Sequence, residues 1–207
     1  MAYKTWESLE QVHQYAQKRY RHRDQRWLHR REENLIKNLF TRYHLGGSIL
    51  DVPVGYGRFQ ELLIQYGPVQ ALDFNFNAIL YQRAKLGLAR GSVTGLAEAL
   101  PYRDRSFELV FSIRLLQHVH EQDQRVAILK EFKRVSRRWV VVSFYIQTPL
   151  HILHRRLFKQ PSRITMLSRR TLLGEAEMAG LQLVKMLSVV PGLHAHRIGL
   201  FTVAETS

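Results

Sequence analysis

Along the chain, short segments that are apolar at almost every position alternate with longer segments in which apolar residues recur at helical spacing. The strand-like segments are the run opening SILDV at residue 48, VQALDF at 69–74, a short stretch near 91–94, FELVFSI at 107–113 and WVVVSFY at 139–145. Strands apolar on both faces need cover on both sides, and the intervening helices supply it, so the pattern predicts a parallel sheet between two helical layers. The helices are predicted over 4–20, 25–43, about 58–66, about 77–88 and the segment DQRVAILKEFKRVSR, where Ile128, Leu129, Phe132 and Val135 share a face. In the second helix Leu28, Leu35, Ile36, Leu39, Phe40 and Tyr43 form the apolar face, Glu33 precedes Lys37 by one turn, and HLGG ends the element. The tail departs from the alternation. A helix capped by Ser168 and closed by Gly180 leads into LQLVKMLSVV, a turn at Pro191 and Gly192, and HRIGLFTVA, two closely joined strands that are expected to pair antiparallel.

One connection carries chemistry as well as fold. In SILDVPVGYGRFQELL the first strand ends at Asp51 and passes Pro53, Gly55 and Gly57 before the next helix. Ligands of open parallel sheets sit beyond the carboxyl ends of the strands, where the loop after the first strand commonly makes the contact. Glycines there let the backbone approach a ligand closely, and the amides that follow can receive an anion. Asp73 ends the second strand, placed to accept hydrogen bonds from two ribose hydroxyls, so a ribosylated cofactor is inferred. A dinucleotide site needs a small residue three positions after Gly57, and Gln60 stands there instead, which argues against NAD and FAD.

Composition narrows the partners. The 207-residue chain is 45% hydrophobic, enough for one domain with a substantial core. It has no cysteine, which excludes disulfides, thiolate metal sites and a cysteine nucleophile. No histidine and acid spacing suggests a metal site either. The N-terminus lacks the apolar core of a signal peptide and no apolar run is long enough to span a bilayer, so a cytoplasmic location is expected. A formal charge of +14 favours anionic partners. The cations crowd into QKRYRHRDQRWLHRR (17–31), KEFKRVSRRW (130–139) and HRRLFKQPSRITMLSRR (154–170). Tyr20 and Trp27 among the arginines of the first cluster suit stacking on bases, and a solvated helix face is the plainer reading.

With these residues in place the chain resembles the class I S-adenosylmethionine-dependent methyltransferases, in particular the methyltransferase type 11 group. ILDVPVGYGRF is similar to the family's first motif, ALDFN to its second, and AEALPYRDRSFELVFSIRLLQHV and RVAILKEFKRVSRRWVVVSFY to the segments through its fourth and fifth strands. The similarity covers roughly residues 35–146. It implies a Rossmann-like three-layer α/β sandwich with a mostly parallel seven-stranded sheet, an antiparallel C-terminal hairpin and an N-terminal helical lid, divided as lid 1–34 and methyltransferase domain 35–207. It implies S-adenosylmethionine as cofactor, with Asp51, Pro53, Gly55 and Gly57 around the methionine part, Asp73 on the ribose, Phe74 on adenine and Ala97 at the adenine edge. Pro53 replaces a usual glycine, Leu96 stands where an aspartate often reaches adenine, and Arg137 and Arg138 replace a glycine pair in the loop before the fifth strand.

The expected reaction is in-line methyl transfer, for which alignment of donor and acceptor is the main requirement. His118, after the fourth strand, is the candidate base, against a purely structural histidine. Tyr20, Arg26, Arg114, Arg155 and Arg156 are candidate substrate contacts. The acceptor is expected to be an anionic or phosphorylated small molecule or a glycolipid, with RNA and peripheral membrane contact as further partner classes. The alternative is a noncatalytic module that binds RNA, an anionic membrane or a protein through its basic surface. The oligomeric state is left open.

Overall fold

In the structure, a computed structural model, residues 5–19, 21–86, 91–147, 164–191 and 195–203 are described; Tyr20, Arg155, Arg156 and Gly192 lie outside them. The elements are α1 (Leu9–Arg19), α2 (Arg23–Arg42), β1 (Ile49–Asp51), α3 (Gln60–Leu63), β2 (Val69–Asp73), α4 (Phe76–Leu86) and β3 (Ser92–Thr94). There follow β4 (Phe107–Ser112), a 3₁₀ turn (Leu116–His118), α5 (Gln122–Val135), β5 (Ser136–Tyr145), α6 (Arg169–Met178), β6 (Leu181–Ser188) and β7 (His196–Val203).

The seven strands form one sheet in the order β3-β2-β1-β4-β5-β7-β6. β7 runs antiparallel to both β5 and β6, so six strands are parallel and the C-terminal hairpin supplies the reversed one. Successive residues of each strand face opposite layers. Leu50, Val110, Val140, Val142 and Phe201 pack with Ile128 and Phe132 of α5 and Leu172 of α6. Ile49, Leu109, Phe111, Val141 and Leu200 pack with Ile36, Leu39 and Phe40 of α2 and Leu62 and Leu63 of α3. The second helix is therefore a sheet-covering layer, and it runs unbroken through position 34 with Glu32 and Ile36 both fully buried. α1 packs instead on α4, where the rings of His13 and Tyr81 meet at 6.2 Å.

Two local expectations need correction. The helix expected over 58–66 is only Gln60–Leu63, because Gln65 and Tyr66 donate to Leu62 and Leu63 three residues back and the chain tightens into a turn. Arg137 and Arg138, expected in a loop, lie within β5, which begins at Ser136. Both are exposed at the sheet's lower rim, beyond the helical layers, so a strand can carry charge there. Ser168 caps α6 as expected, accepting from Thr171 N at 3.0 Å.

Candidate active site

The strand order reverses at β1: the chain moves outward through β2 to β3 and returns to β4 on the other side of β1. The crevice above that point is where open α/β sheets hold ligands. The backbone beyond β1 crosses this rim, with Val52 N donating to Phe111 O at 3.0 Å on one side and Val54 N to Leu72 O at 2.9 Å on the other. The Val52–Pro53 peptide is cis.

Above the rim lies a cavity of about 420 Å³, lined by Asp51, Pro53, Gly55, Asp73 and Phe74 on one side and by Arg114, His118 and Tyr145 on the other. Its size suits a small molecule. Gly55 has φ +54°, and a Cβ there would meet only Trp6, at 3.9 Å, so bare main chain forms this wall. Asp73 is turned toward that wall and accepts from Gly55 N at 2.8 Å through one oxygen and from Asn75 N at 2.9 Å through the other. Phe74 supplies a third backbone donor, and since an ionised carboxylate has about four acceptor positions, about one stays open to a ligand hydroxyl. Gly57 acts differently from its expected place beside the ligand. It does not line the cavity; at φ +73° its missing Cβ is space occupied by the amide of Gln82, whose Nε2 donates to Gly55 O at 3.3 Å. Gln60, too large for a dinucleotide loop, turns inward and donates to Asp51 Oδ2 at 2.7 Å.

A narrow extension of the crevice is lined by Pro53, Phe74, Leu96, Ala97 and Glu98. Glu98 Oε1 accepts from Gln124 at 3.0 Å, while Oε2 is buried without a partner among the described residues. N-terminal residues form the roof. Trp6 O accepts from the side-chain amides of Asn75 and Asn77, and Tyr15 bridges the rings of Trp6 and Tyr56, each at 5.6 Å. Arg19 also lines the cavity, whereas Arg26 is exposed on α2 and does not. Trp27 is exposed with Arg31 over its ring. His118 Nε2 lies 3.2 Å from Gln117 Nε2, and His120 is tied to Thr165 at 2.8 Å, outside the cavity.

Burial raises the two carboxyl groups. Asp51 is pushed up to about 8 by burial, with Asp73 adding to the rise and the Gln60 hydrogen bond opposing it. Asp73 is pushed up to about 6 by burial, against the backbone donors of Asn75, Gly55 and Phe74.

Residues 50–142 match the family model described as a methyltransferase domain. That stretch of the chain carries a methyltransferase domain. Among solved structures it is similar to magnesium protoporphyrin IX methyltransferase from Synechocystis with bound S-adenosylhomocysteine, at TM-score 0.72 and 17% identity over 88% of each chain. A protein from Pyrococcus horikoshii is similar at TM-score 0.68 and 19% identity, covering 84% of this chain and 89% of its own. An S-adenosylmethionine-dependent methyltransferase from Clostridium acetobutylicum gives TM-score 0.68 at 8% identity, with 85% and 92% covered. At such identities these likenesses show the fold alone. No curated protein matches the chain significantly.

The methyltransferase match implies S-adenosylmethionine as cofactor, and the residues present fit it: an open crevice, bare main chain at Gly55 and a carboxylate at Asp73 with an acceptor position to spare. Among the described residues no helix is long and apolar enough to cross a membrane and no group of side chains is arranged to hold a metal.

The raised carboxyls give a pH prediction. A cationic ligand favours ionised carboxylates, and these ionise in the cofactor-free fold only near 6 and 8, so affinity for S-adenosylmethionine is expected to rise as pH climbs through that window. The stability sign is opposite. Unfolded, both groups ionise near 3.8 and the folded chain holds the protons longer, so their contribution to cofactor-free stability falls as pH rises toward 8. Calorimetric titrations across the window test this, and Asp51→Asn is expected to flatten its upper half; a wild-type affinity independent of pH contradicts it.

Proposed function

We propose that the methyltransferase acts on an anionic small molecule, a phosphorylated metabolite or glycolipid headgroup in class, seated beside the cofactor. The observation that carries this reading is that Arg19, Arg58 and Arg114 line the same cavity as Asp73 and His118. Bound, S-adenosylmethionine supplies a methyl group already activated on a sulfonium. The chain's own task is then to align the acceptor, exclude water and take a proton. Trp6 and Tyr15 exclude water as part of a lid drawn from residues 1–34, latched through Asn75 and Asn77. His118 is the candidate base, since its ring lines the cavity. Asp73 holds the ribose, and Phe74 and Ala97 flank adenine in the narrow extension. Glu98, two positions after Leu96, takes over the contact to the adenine amino group with its unpartnered Oε2. A noncatalytic module that keeps the cofactor pocket has the same open cavity, and transfer of label separates it from the enzyme.

Methyl-labelled cofactor incubated with fractionated cell extract tests the proposal. Label is expected in anionic small-molecule or glycolipid fractions, and His118→Ala is expected to slow that transfer by about 100-fold with cofactor affinity retained. Label confined to RNA or protein overturns the acceptor class, and an unchanged rate in His118→Ala removes the base.

A further inference from the structure

One element of the cavity wall is governed from outside it. Glu32, in the middle of α2, is fully buried and pairs with Arg58 Nη2 and, at 3.0 Å, with Arg114 Nη2. Those arginines come from the loop after β1 and the loop after β4, and their side chains keep only 9% and 22% of their exposure. His29 accepts from Arg58 Nε at 3.1 Å, and His196 Nδ1 lies 2.9 Å from Glu32. Burial, followed by the two arginines, lowers His29 to about 4 and His196 to about 3, so both rings are neutral near pH 7. One carboxylate thus faces two guanidinium groups, and the cluster keeps a single positive charge.

That charge borders a cavity whose polar lining is incomplete. Arg114 Nε is buried and donates to nothing among the described residues, while the carbonyl oxygen Oε1 of Gln117, 5% exposed, is buried without a donor among them. Arg114 and Gln117 both line the cavity. A buried donor left unmet is costly, so a ligand that supplies an acceptor is favoured at Arg114, and one that also carries a donor at Gln117. Backbone strain points the same way: Arg114 is held at φ +69°, its amide fixed to Ser143 Oγ at 2.7 Å, although a side chain resists that region. The ring of Tyr145 forms the adjoining wall, stacked on His196 at 4.9 Å and 15°.

We propose that Arg58 and Arg114 form the acceptor's anion subsite, and that Glu32, a positioning residue, lowers its preference for a phosphomonoester dianion relative to a singly charged group such as a carboxylate or phosphodiester. The inference rests on the methyl-transfer reading only for calling the ligand an acceptor. Coulomb energy scales with the product of charges, so removing the negative charge of Glu32 aids a dianion twice as much as a monoanion. Geometry alone makes no such distinction.

The test titrates benzoate and phenyl phosphate into the full chain, with and without S-adenosylhomocysteine, at a pH about two units above the second phosphate pKa of ~6, so that phenyl phosphate is a dianion. Arg114→Gln is expected to weaken benzoate binding at least about tenfold. Glu32→Gln is expected to lower the ratio of the phenyl phosphate Kd to the benzoate Kd at least about tenfold, an effect that loosened packing does not produce. An unchanged ratio in folded Glu32→Gln, or full benzoate affinity in Arg114→Gln, overturns the proposal. Should circular dichroism show Glu32→Gln unfolded, Arg114→Gln decides alone. Failure of the wild type to bind S-adenosylmethionine strikes the methyl-transfer reading, and the anion titrations of the cofactor-free chain still decide the subsite.

Discussion

Asp73→Ala is expected to weaken S-adenosylmethionine binding by at least about 100-fold, or ~3 kcal/mol. Two losses combine. Hydrogen bonds from ligand hydroxyls to an ionised carboxylate each contribute about 1.5–3 kcal/mol. The same carboxylate also fixes its surroundings: Gly55 N donates to one oxygen at 2.8 Å and Asn75 N to the other at 2.9 Å, so truncation frees the cofactor loop from the end of β2. Asp73→Asn separates the effects in part, since its carbonyl can still accept from one of these amides while its NH₂ opposes the other. Calorimetry of both variants with S-adenosylmethionine, alongside circular dichroism, checks the expectation. An affinity for Asp73→Ala within about threefold of wild type removes Asp73 from the cofactor site.

The largest stability effect is expected at an ion pair that does not line the cavity. Arg125 of α5 and Glu175 of α6 are 4% and 1% exposed, and they meet in a two-pronged contact, Nε to Oε2 at 3.0 Å and Nη2 to Oε1 at 2.5 Å. The remaining nitrogen, Nη1, donates to Val119 O at 3.1 Å and His120 O at 2.7 Å, which ties the pair to the segment just after His118. Glu175→Ala leaves a guanidinium buried without its counter-charge, a change that costs about 3–5 kcal/mol against a total stability of about 5–15 kcal/mol for a typical domain. Urea denaturation is expected to show a midpoint lowered by a large fraction. Replacing both partners, as Arg125→Met with Glu175→Leu, removes the buried charge and is expected to recover most of the loss. Because Nη1 is then gone from the carbonyls beside His118, the double variant is expected to stay slow in methyl transfer while stable. A Glu175→Ala midpoint equal to wild type shows that water reaches the pair.

Much of the architecture was legible because its causes are local. Strands such as VQALDF and WVVVSFY are apolar on consecutive positions, and only burial on both faces accommodates that pattern. Ser168 announced α6 through a hydroxyl that needs only its own first turn. Boundaries failed where packing or exposure at the rim decided: the helix expected over 58–66 shrank to one turn, and β5 began early through Arg137 and Arg138.

The site divides along the same line. Asp51, Pro53, Gly55, Asp73 and Phe74 lie at strand ends or in the loop after β1, and the topology alone gathers them around one crevice. Gly57 and Arg26 share the sequence marks of ligand contacts yet stand outside the cavity, since one makes room for Gln82 and the other faces solvent. Glu98 had a faint signal, an acid two positions beyond the place where the family often carries one. Glu32 had none, because its partners Arg58, Arg114 and His196 are 26, 82 and 164 residues away and an acid beside Glu33 among helix arginines looks like a solvated face.

The order of residues by itself determined a parallel sheet between helices and a glycine loop with two carboxylates for an adenosyl cofactor, because hydrophobic period and turn chemistry act over a few neighbours. Only the folded chain decided the charge and shape of the cavity wall that carries Arg114. Arg58, Arg114, Gln117 and Tyr145 acquire their character from a buried acid and a neutral histidine brought to them by α2 and β7, and no spacing along the chain encodes a contact made through the core.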